Sequence, residues 1–301
     1  MSGFRAGSAV REVTPDVGTE IPLRGYTAPG DRIATGVHDP LSARALAVSG
    51  AGRTVGIVSV DAITVPDDVR RNVRATLIDG DSEVDALVVA ATHTHAGPFV
   101  PMHPIDRLKG FDTTEHAEAI EAAVERIERG IVDAVQAAVD GLEPAKLRVG
   151  RAENERAAVN RRREWGADIA GTRSDSGELD PELVAAEFET GSGDRTVLFN
   201  YACHPVCSTR FQTAVSADWP GRVYERLRDE RDATALFLNG AAGDVNPRNR
   251  YPETTDDAAV YEYAATIGDE IADTVLEALD DAGPSTGGEP RVAARRRELS
   301  L

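Results

Sequence analysis

The chain has 301 residues, with 33 basic and 51 acidic side chains and a formal charge of −18, and its only lysines are Lys109 and Lys146. No basic stripe offsets this charge, which argues against a nucleic-acid partner, and no apolar run approaches the length of a membrane span. Two cysteines, Cys203 and Cys207, are too few for a disulfide scaffold. An acid-rich, lysine-poor surface is typical of adaptation to concentrated salt. Because the N-terminus lacks the apolar core of a signal peptide, we expect a salt-adapted, cytoplasmic protein.

The first half of the chain predicts strands that alternate with helices. Apolar and β-branched runs bounded by turn residues predict strands at Phe4–Val13, Leu41–Val48, Thr54–Val60 and Val84–Ala91. A helix is predicted from Pro66 to Gly80, because apolar residues between them recur at helical spacing. A longer helix is predicted from an N-cap at Thr114 to Val139, with Gly141 as its stop.

The second half of the chain also predicts both strands and helices. Its predicted strands are Leu147–Ala152, Leu183–Glu189, Thr196–Ala202, Ala233–Leu238 and a last one at Val292–Leu301. The second and third of these are close enough in sequence to form a hairpin. Predicted helices begin at Ser216 and Asp256, and Asn160–Ser176 is predicted to be a polar loop. We find no internal repeat in the sequence, and we expect one α/β domain over residues 1–301, with mixed β-sheets flanked by α-helices.

Two histidines follow the fourth predicted strand and make the first candidate site. The segment reads A-T-H-T-H-A-G-P, with His93 and His95 just before a Gly-Pro turn. If the strand geometry continues through them, alternation places both side chains on the same side. Paired imidazoles at a strand end are suited to metal binding or acid–base chemistry. A pair of surface loop histidines is the alternative.

Other polar residues follow the carboxyl ends of further strands, where α/β sheets place their sites. These residues are Asp61, His204 and Asn239–Asp244. His204 is either a ligand or a buried core histidine. Asp218 is either functional or a helix N-cap, and Gly243–Pro247 is either a turn or a nest of N–H groups for an oxyanion. Common protease, esterase, dinucleotide and nucleotide motifs are absent from the sequence. Together the histidines, carboxylates and Gly-Asp turn favour a mononuclear zinc hydrolase.

The chain resembles the neutral (non-lysosomal) ceramidase family. The motifs that carry the resemblance are A-T-H-T-H-A-G-P, N-Y-A-C-H-P, S-A-D-W-P-G and N-G-A-A-G-D-V-N-P, in the same order as in that family. The opening segments V-T-P-D-V-G and G-V-H-D-P-L-S-A-R-A-L are also similar to its amino-terminal catalytic domain. The resemblance covers nearly the whole chain.

This resemblance implies a zinc-dependent amidase that cleaves an N-acyl linkage such as that of ceramide. It implies that His93 and His204 are zinc ligands and that His95 binds or polarises near the scissile carbonyl. Arg161 is then expected to reach a substrate oxygen. Metal-activated water is the expected nucleophile, with His95 moving protons. The turn that contains Asp244 and Asn246 is expected to stabilise the oxyanion together with Arg161.

The chain departs from the family pattern in three respects. The family reads G-D-V-S-P, with a catalytic serine, where this chain has Asn246, and an asparagine side chain donates hydrogen bonds but is not a nucleophile. The family's glutamate and tyrosine zinc ligands and its immunoglobulin-like domain lie beyond this chain, so we expect a fragment or shortened homologue. Candidates for a further ligand within the chain are His38, Asp61 and Asp218. Family ceramidases are mostly secreted or surface-bound, unlike the expectation from this N-terminus.

Two other functions stay open on the sequence alone. A non-catalytic binding protein that has kept the fold is favoured by Asn246 and by the missing ligands. A hydrolase of an unrelated small substrate is the other, because one fold supports many activities. The sequence does not indicate an oligomeric state.

Overall fold

The computed structural model describes residues 3–26, 31–78, 80, 83–102, 105–161, 179–248, 254–283 and 292–295. Its strands are β1 (Arg5–Glu12), β2 (Gly36–Val37), β3 (Ser42–Gly50), β4 (Arg53–Val60), β5 (Ala86–Ala91), β6 (Glu143–Glu153), β7 (Ala158–Asn160), β8 (Glu182–Thr190), β9 (Arg195–Tyr201), β10 (Ala214–Val215), β11 (Ala233–Asn239) and β12 (Val245–Pro247). Its α-helices are α1 (Asp67–Leu77), α2 (Ile105–Lys109), α3 (Ala117–Asp140), α4 (Trp219–Arg231) and α5 (Asp257–Asp280). Within these described ranges, none of the helices combines the length and hydropathy needed to span a membrane.

Eight strands form one mixed sheet in the order β11-β9-β8-β6-β1-β3-β4-β5. The β4–β5 and β9–β11 pairs are parallel and the other pairs in this sheet are antiparallel. The predicted hairpin is present as β8 and β9. The expected α/β class, with a mixed sheet flanked by helices, is therefore confirmed.

The sheet consists of two four-stranded halves with the same topology, which the sequence did not reveal. In the first half β1, β3 and β4 are followed by α1, β5 and α3, and in the second half β6, β8 and β9 are followed by α4, β11 and α5. The parallel pair in each half is joined through a helix, as such pairs require. The halves meet where β1 pairs with β6, in a register that extends over Arg5↔Pro144 and Ala6↔Glu143.

The two halves fold over one another, which brings the far edges of the sheet together. The Ser59 hydroxyl on β4 donates to the carbonyl of Phe237 on β11. Asn239 at the end of β11 donates its side-chain N–H to the carbonyl of Thr92, at 3.1 Å. The carboxyl end of β11 therefore lies beside the segment that follows β5.

Side-chain alternation gives the molecule four layers, helix–sheet–sheet–helix. Ala45 on β3 belongs to the same buried cluster as Ile131 of α3. The next residue, Leu46, packs in the opposite direction with Phe188 of β8 and Leu236 of β11. The outer face of the second half is covered by α4 and α5. The core thus divides into one inner and two outer clusters.

The start of α3 differs from the sequence prediction. Residues Thr114–His116 form a 3-10 turn and α3 begins at Ala117, without a side-chain cap from His116. The Thr114 hydroxyl donates to Asp112 Oδ1 at 2.7 Å. The predicted N-cap at Thr114 is therefore wrong, because its hydroxyl is used within the preceding turn.

Four short strands lie where the sequence predicted none, namely β2, β7, β10 and β12. Asn160, expected at the start of a loop, ends β7, and β7 pairs with β12 so that Val245 lies opposite Asn160. The rest of the predicted loop, residues 162–176, lies outside the described residues. Residues 292–295 of the predicted last strand do not form a strand, and residues 296–301 also lie outside the described part.

Candidate metal centre

Three histidines from two distant parts of the chain lie together. His93 and His95 follow β5, and His204 follows β9. One ring nitrogen of each lies within 4.8 Å of the other two. The ring centroids are 4.8 Å apart for His93 and His204 and 5.1 Å apart for His93 and His95. The cluster is compact enough for all three imidazoles to approach one metal ion.

Backbone carbonyls orient two of the rings. Nδ1 of His93 lies 2.6 Å from the carbonyl oxygen of Ile63, and Nδ1 of His204 lies 2.6 Å from that of Ala242. A carbonyl only accepts hydrogen bonds, so each Nδ1 carries the proton in the neutral ring and each Nε2 keeps its lone pair. Zinc-binding histidines are commonly oriented in this way. Sequence reasoning missed Ile63 and Ala242 because any residue supplies a carbonyl.

The surroundings of both oriented rings favour the neutral form. Burial lowers the pKa of His93, and the hydrogen bond to Ile63 opposes this effect. Burial, followed by the proximity of His93, lowers the pKa of His204 to about 4. Neutral imidazole is the form that binds a metal.

His93 reaches the cluster through a turn in the chain. The strand ends at Ala91, and His93 has a φ of 73°. The expected continuation of the strand is therefore wrong, although His93 and His95 do face one another. A non-glycine residue in this conformation is strained by about 1–3 kcal/mol and is held there by its surroundings. Here the surroundings include the Thr94 hydroxyl, which donates to the carbonyl of Ser216 at 2.8 Å.

The predicted oxyanion turn lies beside His204. His204 N–H donates to the carbonyl of Val245 at 3.0 Å. Arg161 donates its backbone N–H to the carbonyl of Asp244 and its guanidinium to the carbonyl of Gly243, both at 2.6 Å. The positive charge of Arg161 also contributes, after burial, to lowering the pKa of His93 and His204. Asn246 is buried, and its side-chain oxygen has no hydrogen-bond partner among the described residues.

The three further candidates lie outside the three-histidine cluster. The ring of His38 stacks on Tyr261 with centroids 3.7 Å apart, beside a cavity of about 600 Å³. Asp61 is buried, which raises its pKa, and Oδ2 accepts from both the N–H and the hydroxyl of Ser42 at 2.9 Å. Asp218 accepts from the N–H of Trp219 and caps α4. Its carboxylate also holds Cys207 and Ser208, in the loop that follows His204.

We expect the metal-free protein to lose stability as the pH falls from about 6.5 to about 4. The pKa of His204 is 6.5 in an ordinary setting and about 4 here, so the unfolded chain binds more protons within this range and acid favours unfolding. At about 1.36 kcal/mol per pH unit the full loss is about 3 kcal/mol. Urea unfolding of the wild type and of His204→Asn at several pH values checks this. If both proteins show the same pH dependence, His204 is not the group responsible.

The chain is similar to ceramidases in sequence and in fold. The family model "Neutral/alkaline non-lysosomal ceramidase, N-terminal" matches residues 4–279. A solved structure described as "Ceramidase complexed with C2" is 23% identical with a TM-score of 0.74, over 94% of this chain and 45% of that chain. Neutral ceramidase from Pseudomonas aeruginosa is 22% identical with a TM-score of 0.75, over 94% of this chain and 46% of that chain. The chain thus spans less than half the length of these two structures. No curated protein matches it significantly.

Proposed function

The chain belongs to the neutral/alkaline non-lysosomal ceramidase family, and from that premise we propose that it is a zinc-dependent hydrolase. Its proposed substrate is an N-acyl amide, such as that of a ceramide-like lipid, or a related acyl bond. The proposed nucleophile is metal-activated water. The observation that carries the proposal is the cluster of His93, His95 and His204, whose ring nitrogens converge within 4.8 Å.

The donor set of this cluster fits zinc. Imidazole nitrogen is a preferred zinc ligand, and three protein ligands are typical of catalytic zinc sites. Two of the rings are neutral and oriented through Nδ1 by carbonyls, so that Nε2 is the nitrogen left for a metal. A zinc ion in such a site supplies Lewis-acid polarisation of a carbonyl and activation of water near pH 7.

The residues around the cluster have separate roles in this proposal. His93 and His204 hold the metal. His95 acts as a third ligand or as the group that moves a proton to the leaving amine. The Arg161 guanidinium and the turn that contains Asp244 and Asn246 stabilise negative charge on the substrate oxygen. The hydrogen bonds from Arg161 to this turn hold the guanidinium and the turn next to one another.

One observation favours a second function, a binding protein without catalysis. Where the motif of the ceramidase family reads G-D-V-S-P, this chain has Asn246 in place of the serine. The buried amide of Asn246 is not a nucleophile. In that case the cluster holds a metal and the chain binds an N-acyl ligand without cleaving it.

The experiment that separates these functions measures turnover and binding of N-acyl substrates by the zinc-loaded protein in high salt. We expect hydrolysis by the wild type that is lost after treatment with a chelator and regained with zinc. The Asn246→Ser variant is the matched control for the missing serine. Saturable binding by the wild type with turnover only in Asn246→Ser would identify the chain as a binding protein. Turnover that is unaffected by the chelator would contradict the zinc mechanism.

A further inference from the structure

A buried arginine beside the cluster, Arg32, forms no salt bridge among the described residues, and the charge of Asp218 reaches it only from a greater distance. Its side chain is 1% exposed. Nη2 is buried and has no hydrogen-bond partner in the described part of the chain. The neighbouring Arg24, also buried, instead pairs with Asp106 at 2.5 Å. A buried charge without a carboxylate in direct contact is costly.

Two hydrogen bonds from Arg32 join the segments that carry the histidines. Nη1 donates to the backbone carbonyl of His95 at 2.6 Å, and Nε donates to the carbonyl of Gln212 at 2.6 Å. Gln212 lies in the loop that follows His204, and its side chain accepts from the N–H of Thr209 at 2.9 Å. Because the guanidinium is planar, its two donors fix the direction of both carbonyls at once, which a lysine does not do.

The segment that contains Arg32 also confines the ring of His95. A Cβ placed on Gly25 would lie 2.7 Å from Cγ of His95, and Gly25 has a φ of +139° that favours glycine. The ring of Tyr26 lies 5.0 Å from that of His95, and its hydroxyl donates to the carbonyl of Ser208 at 2.5 Å. His95 is therefore held at its ring by Gly25 and Tyr26, and at its carbonyl by Arg32.

We infer that Arg32 is a positioning residue of the metal centre. It fixes the separation of His95 and His204 by tying the carbonyl of His95 in one half of the sheet to the loop that follows His204 in the other half. Arg32 does not touch the metal or the substrate and acts through the backbone of His95. The inference rests on the proposed function only in that the cluster holds a metal.

The test compares Arg32→Lys with Arg24→Lys, since both wild-type arginines are buried and only one contacts a histidine. Cobalt(II) is the probe, because its visible absorption bands report the arrangement of its ligands. We expect Arg32→Lys to change these bands and to lose about tenfold or more in cobalt affinity, as is typical when a partner of a ligand is removed. We expect Arg24→Lys to keep the wild-type bands. Unchanged bands and affinity in Arg32→Lys, or equal changes in both variants, would overturn the inference.

A second measurement is independent of the metal. Amide hydrogen exchange of the metal-free proteins is followed in peptides that cover residues 92–99 and 205–213. We expect faster exchange in both peptides of Arg32→Lys than in wild type or Arg24→Lys, and wild-type exchange in Arg32→Lys would contradict the inference. If Arg32→Lys does not fold, Arg32→Gln takes its place in both measurements. If wild type binds neither cobalt nor zinc, the proposed function fails, and the exchange result alone decides the role of Arg32.

Discussion

Replacing His204 with alanine is expected to abolish stoichiometric zinc binding at neutral pH, and His93→Ala is expected to do the same. These rings come from opposite halves of the sheet, and their centroids are 4.8 Å apart. Loss of a partner that merely orients a ligand lowers metal affinity by about 10–100-fold. Loss of a ligand itself should lower zinc affinity by about 100-fold or more, measured by competition with a chelator and by elemental analysis.

The control for this experiment is His116→Ala. His116 lies at the turn that precedes α3, outside the three-histidine cluster, so its removal should leave the zinc content at the wild-type value. Thermal unfolding of each metal-free variant shows whether it is folded before zinc is added. If wild-type protein retains no zinc, or His93→Ala keeps all of it, these histidines do not form a zinc site.

Alanine at Gly150 is expected to destabilise the protein by about 3 kcal/mol, the upper part of the usual range for overpacking. A Cβ at Gly150 on β6 would lie 1.7 Å from the carbonyl oxygen of Ala278 on α5. Side-chain rotation does not relieve this clash, because the Cβ is bonded to the backbone and the carbonyl oxygen is part of it. The helix must therefore move away from the strand. Urea denaturation should show a lower midpoint for Gly150→Ala than for wild type.

Gly7 allows the same experiment in the other half. Gly7 on β1 packs against the end of α3, with a Cβ placed 2.4 Å from the carbonyl oxygen of Ala138. Gly7→Ala should therefore resemble Gly150→Ala. Gly191→Ala is the matched control, because a Cβ there meets no atom closer than 3.7 Å. A wild-type midpoint for Gly150→Ala, or an equal loss in Gly191→Ala, would show that close helix–strand contact is not the cause.

The sequence was sufficient for most of the regular elements because their patterns are local. Val69, Val73 and Leu77 are buried on one face of α1, as their spacing predicted. The apolar, β-branched runs predicted all eight strands of the main sheet, with errors of a few residues at the strand ends. The short strands β2, β7, β10 and β12 were missed, since two or three residues carry too little periodicity and their pairing depends on segments far apart in sequence.

Less of the candidate site could be predicted from the sequence. The positions of His93 and His204 after strand ends indicated a shared edge, and the motifs they lie in raised the zinc hypothesis. The folding of one half of the sheet over the other, the left-handed conformation of His93 and the carbonyl partners of its ring are results of tertiary packing. Arg32 stands in a loop without a recognisable pattern, and only its contacts reveal its importance.

The distribution of the histidines between the two halves has a thermodynamic consequence. His93 and His95 come from the first half and His204 from the second, whereas the pairing register between the halves covers only two residue pairs. An ion held by all three imidazoles would cross-link the two halves of the sheet, which are otherwise joined by this short pairing and by the inner core cluster. Its binding energy would oppose their separation by about 2.7 kcal/mol when free metal is 100 times its dissociation constant. Chelators would then weaken the contact between the two halves of the sheet.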